Sequence, residues 1–175
     1  SQEMLENALQ HPKVLYSIHE AEKLKFDNNS FDIITFAGSL YYAKSQKVVD
    51  EVVRVSKMGT KVILYDFEIL LNDILAKLQF EPGQSNTYNH QEDFSGLQCE
   101  TMVLVSKKKE KIYLAIEAEQ LSHLILSVKE QFIFFRELFM ENDVHKALTT
   151  KLKNAYSLEK FQIEATIFYS QYHVV

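Results

Sequence analysis

The sequence is poor in the residues that build phosphate-binding loops and disulfide frameworks. Its 175 residues include one cysteine, two prolines, no tryptophan and four glycines, whereas about twelve glycines are expected at the usual ~7%. The single cysteine, Cys99, excludes an internal disulfide and any site built from several cysteines. No two glycines lie closer than thirteen positions. The dinucleotide fingerprint and the P-loop, which both need clustered glycines, are therefore excluded.

Basic residues are also few. Nineteen lysines and arginines face 24 acidic residues, so the net charge is −5, which argues against a nucleic-acid partner. No segment approaches the ~18 uncharged apolar residues of a membrane span. The acidic first residues lack the apolar core of a signal peptide. We therefore expect a protein of the cytoplasm with no membrane partner.

Hydrophobic spacing predicts an α/β chain. Strands are predicted at 13–19, 32–37, 61–67 and 161–175, with a hairpin of strands 100–106 and 111–116 around a basic, solvated tip at 107–110. Helices are predicted at 1–10, 45–56, 68–79, 118–140 and 144–156, and the turn 57–60 precedes the third strand. The chain is predicted to be a single domain over 1–175, with an insertion or lid at 80–116 that begins as a long loop.

Three short motifs lie in the first 67 residues. They are SQEML (1–5), AEKLKFDNNSFD (21–32) and EVVRVSKMGTKV (51–62). In order and spacing they resemble the patterns S-x-E-M-L, A-E-x-L-P-F-x-x-x-S-F-D and E-x-x-R-V-L-K-P-G-G-x-V of class I S-adenosylmethionine-dependent methyltransferases. This resemblance implies a Rossmann-like fold, with a mostly parallel sheet and an antiparallel C-terminal edge. The almost wholly apolar stretch 32–37 is in addition expected to be buried on both faces of the sheet.

The sequence departs from the family pattern in two ways. Lys25, Met58 and Thr60 replace two prolines and a glycine in turns. The family's N-terminal βαβ portion, which carries the glycine-rich loop and a ribose-binding acid, has no counterpart in these residues. Either the sequence is a fragment of a longer methyltransferase, or it is a short relative that has lost cofactor binding. In both cases we expect the chain alone to bind S-adenosylmethionine weakly or not at all and to be inactive.

The resemblance implies a cofactor site at the carboxyl ends of the parallel strands. The implied S-adenosylmethionine contacts are Met4, Ala21, Glu22, Ala37, Gly38, Ser39 and Leu40. The first three would contact the adenine or ribose, and the corner 37–40 would contact the methionine part. The structural alternatives are a core position for Met4, a solvated carboxylate for Glu22 and an ordinary turn for the corner.

Substrate contacts are predicted at Tyr42 and Asp66, with Tyr41 beside them. The tyrosines face the substrate or pack in the core, and Asp66 binds a polar group of the substrate or caps the next helix. No catalytic dyad is expected, because the cofactor itself activates the methyl group. The six histidines lack metal-ligand spacing, so no metal is expected. His90 is a general base or part of a solvated loop.

The resemblance implies transfer of a methyl group from S-adenosylmethionine to a small molecule. The competing hypothesis is a non-enzymatic interaction module that forms a homodimer through an exposed sheet edge. One apolar stripe is predicted to be core, or a dimer surface if it is uncovered. It comprises Leu121, Leu124, Ile125, Val128, Phe132 and Phe135.

Overall fold

The computed structural model describes residues 2–81, 88–157 and 160–175, and in these ranges it contains seven helices and four strands. The helices are α1 (Gln2–Glu6), α2 (Leu40–Ala43), α3 (Gln46–Val55), α4 (Asn72–Lys77), α5 (Ala118–Leu126), α6 (Lys129–Phe139) and α7 (Val144–Tyr156). The strands are β1 (Phe31–Ala37), β2 (Ser56–Ile69), β3 (Met102–Glu117) and β4 (Lys160–Val174), in the sheet order β1-β2-β4-β3. The predicted α/β fold with a mixed sheet is confirmed.

The segment from β1 to β2 follows the prediction closely. β1 and β2 pair in parallel, which requires a crossover, and α2 and α3 provide it. The four valines Val48, Val49, Val52 and Val55 form one buried face of α3. The hydroxyl oxygen of Ser45 caps this helix by accepting the Val48 amide at 3.3 Å.

The predicted turn at 57–60 lies within β2 as an irregularity. The pairing with β1 jumps from Phe31–Ser56 to Ile33–Lys61, and Gly59 adopts a φ of +83°. β1 itself is the last strand on its side of the sheet. Its Ile33 side chain is 59% exposed, so the prediction of a strand buried on both faces is wrong.

Contacts between Cα atoms divide the chain into two compact units. The first comprises Ser1–Asp66, Gln91–Lys108 and Tyr169–Val175. Its core contains Leu40, Val48, Val49, Val52, Val62, Leu64, Phe94, Met102, Tyr172 and Val174. This core packs α3 against residues of β1 and β2.

The second unit comprises Phe67–His90 and Lys109–Phe168. Its core contains Leu71, Leu75, Leu78, Phe80, Ala118, Leu121, Ile125, Phe135, Val144, Leu148, Leu152, Phe161 and Ile163. Within it, a buried hydrogen bond of 2.8 Å joins the hydroxyls of Ser122 on α5 and Thr149 on α7. Both hydroxyls thereby avoid the cost of an unsatisfied buried polar group.

Residues 13–19, predicted as a strand, have no strand partner in the described chain. A strand needs a neighbour for its backbone hydrogen bonds, and composition alone cannot supply one. The side chains of Val14, Leu15 and Ile18 are exposed. The prediction is wrong for this segment, and the helix predicted at 1–10 is confined to α1.

The predicted hairpin at 100–116 is also wrong, because β3 runs unbroken through it. The stretch 107–110 contains none of the glycine, proline or asparagine residues that favour tight turns. Lys107 and Lys111 bond to Asp93 and Glu164, each at 2.6 Å. β3 is the other edge of the sheet, and lysines on an edge strand oppose association with further strands.

Two predicted helices are shorter than expected. The stretch 118–140 breaks at Ser127 and Val128, where the Ser127 hydroxyl donates to the Leu124 carbonyl at 2.7 Å. Serine competes for backbone hydrogen bonds and valine loses rotamer freedom, so both weaken a helix. The break divides the predicted stripe: Leu121, Ile125 and Phe135 are buried, whereas Val128 and Phe132 are partly exposed. The helix predicted at 68–79 is observed as the shorter α4, because β2 extends to Ile69 and includes the first residues of the predicted helix.

The loop predicted at 80–97 contains no helix or strand in its described residues. Its residues 82–87 lie outside the described ranges.

Candidate functional site

Gly38, directly after the carboxyl end of β1, lies beside Asp66 of β2. The Gly38 amide donates to the Tyr65 carbonyl at 2.9 Å, and Gly38 adopts a φ of +60°. A Cβ added to Gly38 would lie 3.3 Å from the Oδ1 atom of Asp66. The Asp66 carboxylate therefore covers the glycine, and the absence of a side chain there leaves room for it.

The helix α2 begins directly after this corner. Ser39 occupies its N-cap position, and Leu40 is buried. The rings of Tyr41 and Tyr42 meet edge to face with centroids 5.3 Å apart. Tyr42 is 79% exposed, so the core alternative for this residue is excluded.

Asp66 does not cap the helix that follows it. α4 begins at Asn72, and its N-cap residue is Leu71. β2 continues for three residues beyond Asp66 before the chain leaves the sheet. The capping alternative for Asp66 is therefore wrong, and the substrate contact stays a prediction.

Glu22 is tied to the beginning of α3. Its Oε1 accepts a hydrogen bond from the Ser45 hydroxyl at 2.7 Å, and its Oε2 lies 3.8 Å from the Lys47 ammonium. A carboxylate near a helix N-terminus is favoured by the unsatisfied amides there. Glu22 thus holds the loop that contains Ala21 against α3.

Arg54 secures the rest of this loop. Its guanidinium donates to the carbonyls of Leu24 and Phe26 at 3.0 and 2.8 Å and to Asn28 at 2.7 Å. It also donates to both carboxylate oxygens of Glu51 at 2.8 Å. The Arg54 hydrogen bonds lower the pKa of Glu51 to about 2. This pair occupies the E-x-x-R part of the third motif, so that part of the motif has a structural role.

The Glu51–Arg54 pair predicts a loss of stability in acid. The folded chain holds the pKa of Glu51 at about 2, below its ordinary value of 4.5. The stabilisation is complete above pH 4.5 and is lost as the pH falls towards 2, because the unfolded chain binds the proton more readily. Urea unfolding of the wild type and of Arg54→Gln, measured between pH 7 and pH 2, checks this. We expect the variant to be less stable at pH 7 and to lose less stability across this range.

The control for that experiment is Lys57→Gln. It removes the partner of an exposed carboxylate, Asp32, at 2.7 Å, and exposed ion pairs contribute little. If Arg54→Gln and Lys57→Gln have the same pH dependence, the role assigned to Arg54 is wrong.

The remaining predicted cofactor contacts, Met4, Ala21 and Ala37, differ in exposure. Met4 on α1 is 74% exposed, so the core alternative for Met4 is excluded. Ala21 is half-buried against the core of its unit, and Ala37 is exposed at the end of β1. The structure joins Gly38 with Asp66 and Glu22 with the start of α3.

Two ion pairs of this unit could not be predicted from the sequence. Lys44, just after α2, lies 2.6 Å from Glu92. Asp93 is buried, and its carboxylate accepts hydrogen bonds from Lys107 and Ser95. Burial raises the pKa of Asp93, but the hydrogen bonds have the larger combined effect and hold that pKa below its ordinary value. The partners are far apart in sequence, so no local pattern signals them. They hold Glu92 and Asp93, the loop residues that form these pairs, within the first unit.

Within the described residues, no group of three or more histidine, cysteine or acidic side chains is arranged to hold a metal ion. His90 stacks on Phe168 with ring centroids 6.1 Å apart, and its role as a base stays a prediction. None of the described helices is both long and apolar enough to cross a membrane.

Residues 1–64 match a family described as "Methyltransferase domain". Among solved structures, a candidate type II methyltransferase from Anaeromyxobacter dehalogenans is 12% identical and superposes with a TM-score of 0.63, over 99% of this chain and 77% of that chain. No match to this sequence is found among curated proteins.

Two further structures superpose less well. A candidate methyltransferase of an antibiotic biosynthesis pathway from Anabaena variabilis is 17% identical, with a TM-score of 0.43 over 97% of this chain and 78% of that chain. A candidate methyltransferase from Bacillus halodurans is 13% identical, with a TM-score of 0.42 over 92% and 78% of the two chains. At these identities the likeness concerns the fold alone, and it rests on the Anaeromyxobacter structure.

The family match covers all three sequence motifs, and the structural likeness extends over almost the whole chain. The resemblance identified from the motifs is therefore confirmed: residues 1–64 match the methyltransferase domain family, and the α/β fold of the chain is that of the Anaeromyxobacter methyltransferase structure.

Proposed function

We propose that this protein takes part in S-adenosylmethionine-dependent methyl transfer to a small molecule. The observation that carries the proposal is the Gly38–Asp66 corner, where β1 ends beside its parallel neighbour β2. Ligands of open α/β sheets bind outside the carboxyl ends of the strands. The family match over residues 1–64 supports the same reaction class.

The residues of this edge fit such a cofactor. Gly38 has no side chain and a positive φ, so backbone can approach a ligand there. The loop at Ala21 and Glu22 is held by Ser45 and Arg54, which would present a fixed edge to an adenine ring. Met4 is exposed and would pack on that ring. When bound, the cofactor supplies a methyl group that is already activated for displacement.

The contribution of the chain is then to align and shield the reactants. The corner 37–40 would hold the methionine end, and Tyr42 and Asp66 would hold the acceptor. No residue of the corner needs to act as a nucleophile, because the acceptor attacks directly. A base is needed only for a poor nucleophile such as a hydroxyl.

The test is a nuclear magnetic resonance titration of the chain with S-adenosylhomocysteine at millimolar concentration. We expect shifts in the backbone amides of Ala21, Glu22, Gly38 and Ser39 and unchanged amides in α7. The sequence has no clustered glycines, so we expect calorimetry to find binding weaker than micromolar. Shifts confined to α7, or no shifts at all, would contradict the proposed function.

Glu22→Ala is expected to weaken S-adenosylhomocysteine binding about ten-fold or more, because a hydrogen bond to a charged group contributes about 1.5–3 kcal/mol. The same titration measures the change. Ser45→Ala is the matched control, since it removes the partner of Glu22 at 2.7 Å and leaves the carboxylate. If the two variants weaken binding equally, Glu22 acts by holding the loop. If neither changes it, Glu22 is no part of the site.

A second candidate function is self-association through the outer edge of β1. In the described chain β1 pairs with β2 alone, and its Ile33 side chain is exposed. An unpaired edge of this kind can add a strand from another chain. We propose a second copy of this chain as the partner.

Sedimentation velocity tests this candidate. We expect the wild type to form dimers, and Ile33→Lys to shift them towards monomers, because a lysine on an edge strand opposes strand addition. The control is Ile133→Lys, the same change at a partly exposed position on α6. A wild type that stays monomeric at all concentrations would exclude the interaction module.

A further inference from the structure

We propose that Lys44 and Gln46 are positioning residues for the part of the site that would hold the methionine end of the cofactor. They act through the segment 92–98, which holds the corner 37–40 and the helix α2 in the conformation that binds. This inference rests on the proposed function and adds to the same site two residues that act without touching the ligand.

The corner and α2 depend on contacts with the rest of the chain for their position. α2 has four residues, and its N-cap residue Ser39 makes no side-chain cap hydrogen bond. So short a helix is not stable by itself in water. Leu40 is buried and anchors the beginning of α2 in the core of the first unit. The other end of α2 needs an anchor of its own.

The segment 92–98 packs beside the carboxyl end of β1. Phe94 is 1% exposed, and its ring meets that of Phe36 edge to face with centroids 5.8 Å apart. Phe36 lies two residues before Gly38, and Phe94 belongs to the same core as Leu40. The segment is therefore fixed against the strand that leads into the corner.

Two contacts join this segment to the chain directly after α2. The Lys44 ammonium lies 2.6 Å from Glu92 Oε1, and the two side chains are only 25% and 19% exposed. The side-chain amide of Gln46 donates to the Gln98 carbonyl at 3.0 Å, and its oxygen accepts the Gln98 amide at 2.9 Å. An ion pair that is largely shielded from water is stronger than an exposed one. α2 is therefore anchored at both ends.

These anchors fix the backbone that would hold the methionine part. A site that is already held in its binding conformation avoids the cost of ordering when the ligand binds. When a substitution releases the corner, the apparent affinity falls with the fraction of molecules that keep this conformation. The loop that contains Glu22 is held by Ser45 and Arg54. Contacts with the adenine should therefore not depend on the anchors of α2.

The test compares S-adenosylhomocysteine with adenosine, which lacks the amino-acid part, by nuclear magnetic resonance titration of the full chain. Lys44→Met and Gln46→Ala are expected to weaken S-adenosylhomocysteine binding by about three-fold or more and to leave adenosine binding unchanged. Lys111→Met is the matched control, because it removes a lysine that pairs with Glu164 at 2.6 Å in the second unit. It should change neither affinity. Thermal melts establish that each variant is folded.

Glu92→Gln distinguishes positioning from a direct contact of Lys44 with the ligand carboxylate. If Lys44 acts through Glu92, loss of either partner weakens S-adenosylhomocysteine binding. If the ammonium binds the ligand directly, removal of the Glu92 charge strengthens binding, because the two charges act on an anion in opposite directions. We expect weaker binding in both single variants. We also expect the double variant Lys44→Glu with Glu92→Lys to bind more tightly than Lys44→Glu alone.

A measurement without any ligand completes the test. The Tyr42 amide donates to the Ser39 carbonyl at 3.2 Å, so its hydrogen exchange reports local opening of α2. Lys44→Met should accelerate this exchange by about three-fold or more, since one anchor of the helix is lost. The amides of α7 should exchange as in the wild type.

Three titration results would overturn the inference: unchanged S-adenosylhomocysteine affinity in Lys44→Met and Gln46→Ala, equal losses for the two probes, or opposite effects of Lys44→Met and Glu92→Gln. Exchange of the Tyr42 amide at the wild-type rate in Lys44→Met would overturn it as well. A wild type that shows the cofactor shifts together with any of these results retains the proposed function and loses only the positioning residues. Absence of cofactor shifts in the wild type would contradict the proposed function and the inference together.

Discussion

Phe135→Ala is expected to lower the free energy of unfolding by about 3–5 kcal/mol, the usual cost of removing a buried aromatic side chain. Phe135 on α6 is fully buried. Its ring stacks on Phe80 at 6.2 Å and on Phe139 at 5.8 Å. Truncation leaves a cavity between the rings of Phe80 and Phe139, which cannot close without movement of the surrounding elements. Urea unfolding followed by circular dichroism measures the loss.

The matched control for this prediction lies on the same helix. Phe132 is 38% exposed, and its ring lies 5.9 Å from the Arg136 guanidinium. Phe132→Ala is expected to cost about 1 kcal/mol or less, because little burial and one weak cation–π contact are lost. Similar losses at the two positions would mean that Phe135 does not hold the core of its unit. The sequence placed both residues in one core stripe, and this comparison measures how far the helix break separates them.

The segment from β1 to β2 could be predicted from the sequence because its signals are local. An apolar strand, a serine cap and a valine face identify Phe31–Ala37 and Gln46–Val55 within a residue or two. The final strand and α7 have equally clear periodicity. The failures at 13–19 and at 107–110 have a different origin. Whether these residues form a strand depends on which other strand lies beside them, and that is a property of the fold.

Part of the candidate site could be predicted from the sequence for the same reason. Gly38 and Asp66 could each be selected because they lie near the predicted ends of two strands, and the parallel pairing of β1 with β2 brings them together although β2 extends to Ile69. Glu51 and Arg54 are three residues apart on a helix, a spacing at which side chains meet. The Ser45 partner of Glu22 lies 23 positions away. No pattern in the sequence indicates it, so the structural role of Glu22 emerged only from the fold.

Gly38→Ala and Gly59→Ala are expected to have similar effects on stability and different effects on binding. Both glycines have a positive φ, +60° and +83°, at which an alanine costs about 1–2 kcal/mol. A Cβ at Gly59 meets nothing within 4 Å, whereas at Gly38 it lies 3.3 Å from Asp66 Oδ1. The Asp66 carboxylate must therefore move by a few tenths of an ångström, which the flexible side chain allows at little further cost.

The displacement of Asp66 has its main consequence at the edge where the ligands are proposed to bind. Gly38→Ala should reduce S-adenosylhomocysteine binding by about five-fold or more, which corresponds to roughly 1 kcal/mol, because the new methyl group displaces the Asp66 carboxylate and fills the space over the backbone. Gly59→Ala should leave that affinity unchanged while melting at a similarly reduced temperature. Thermal melts and ligand titrations of both variants distinguish the effect of backbone strain on stability from the effect of the changed site geometry on binding. Equal affinities in the two variants would remove the Gly38 corner from the site, since strain alone would then account for everything the alanine does.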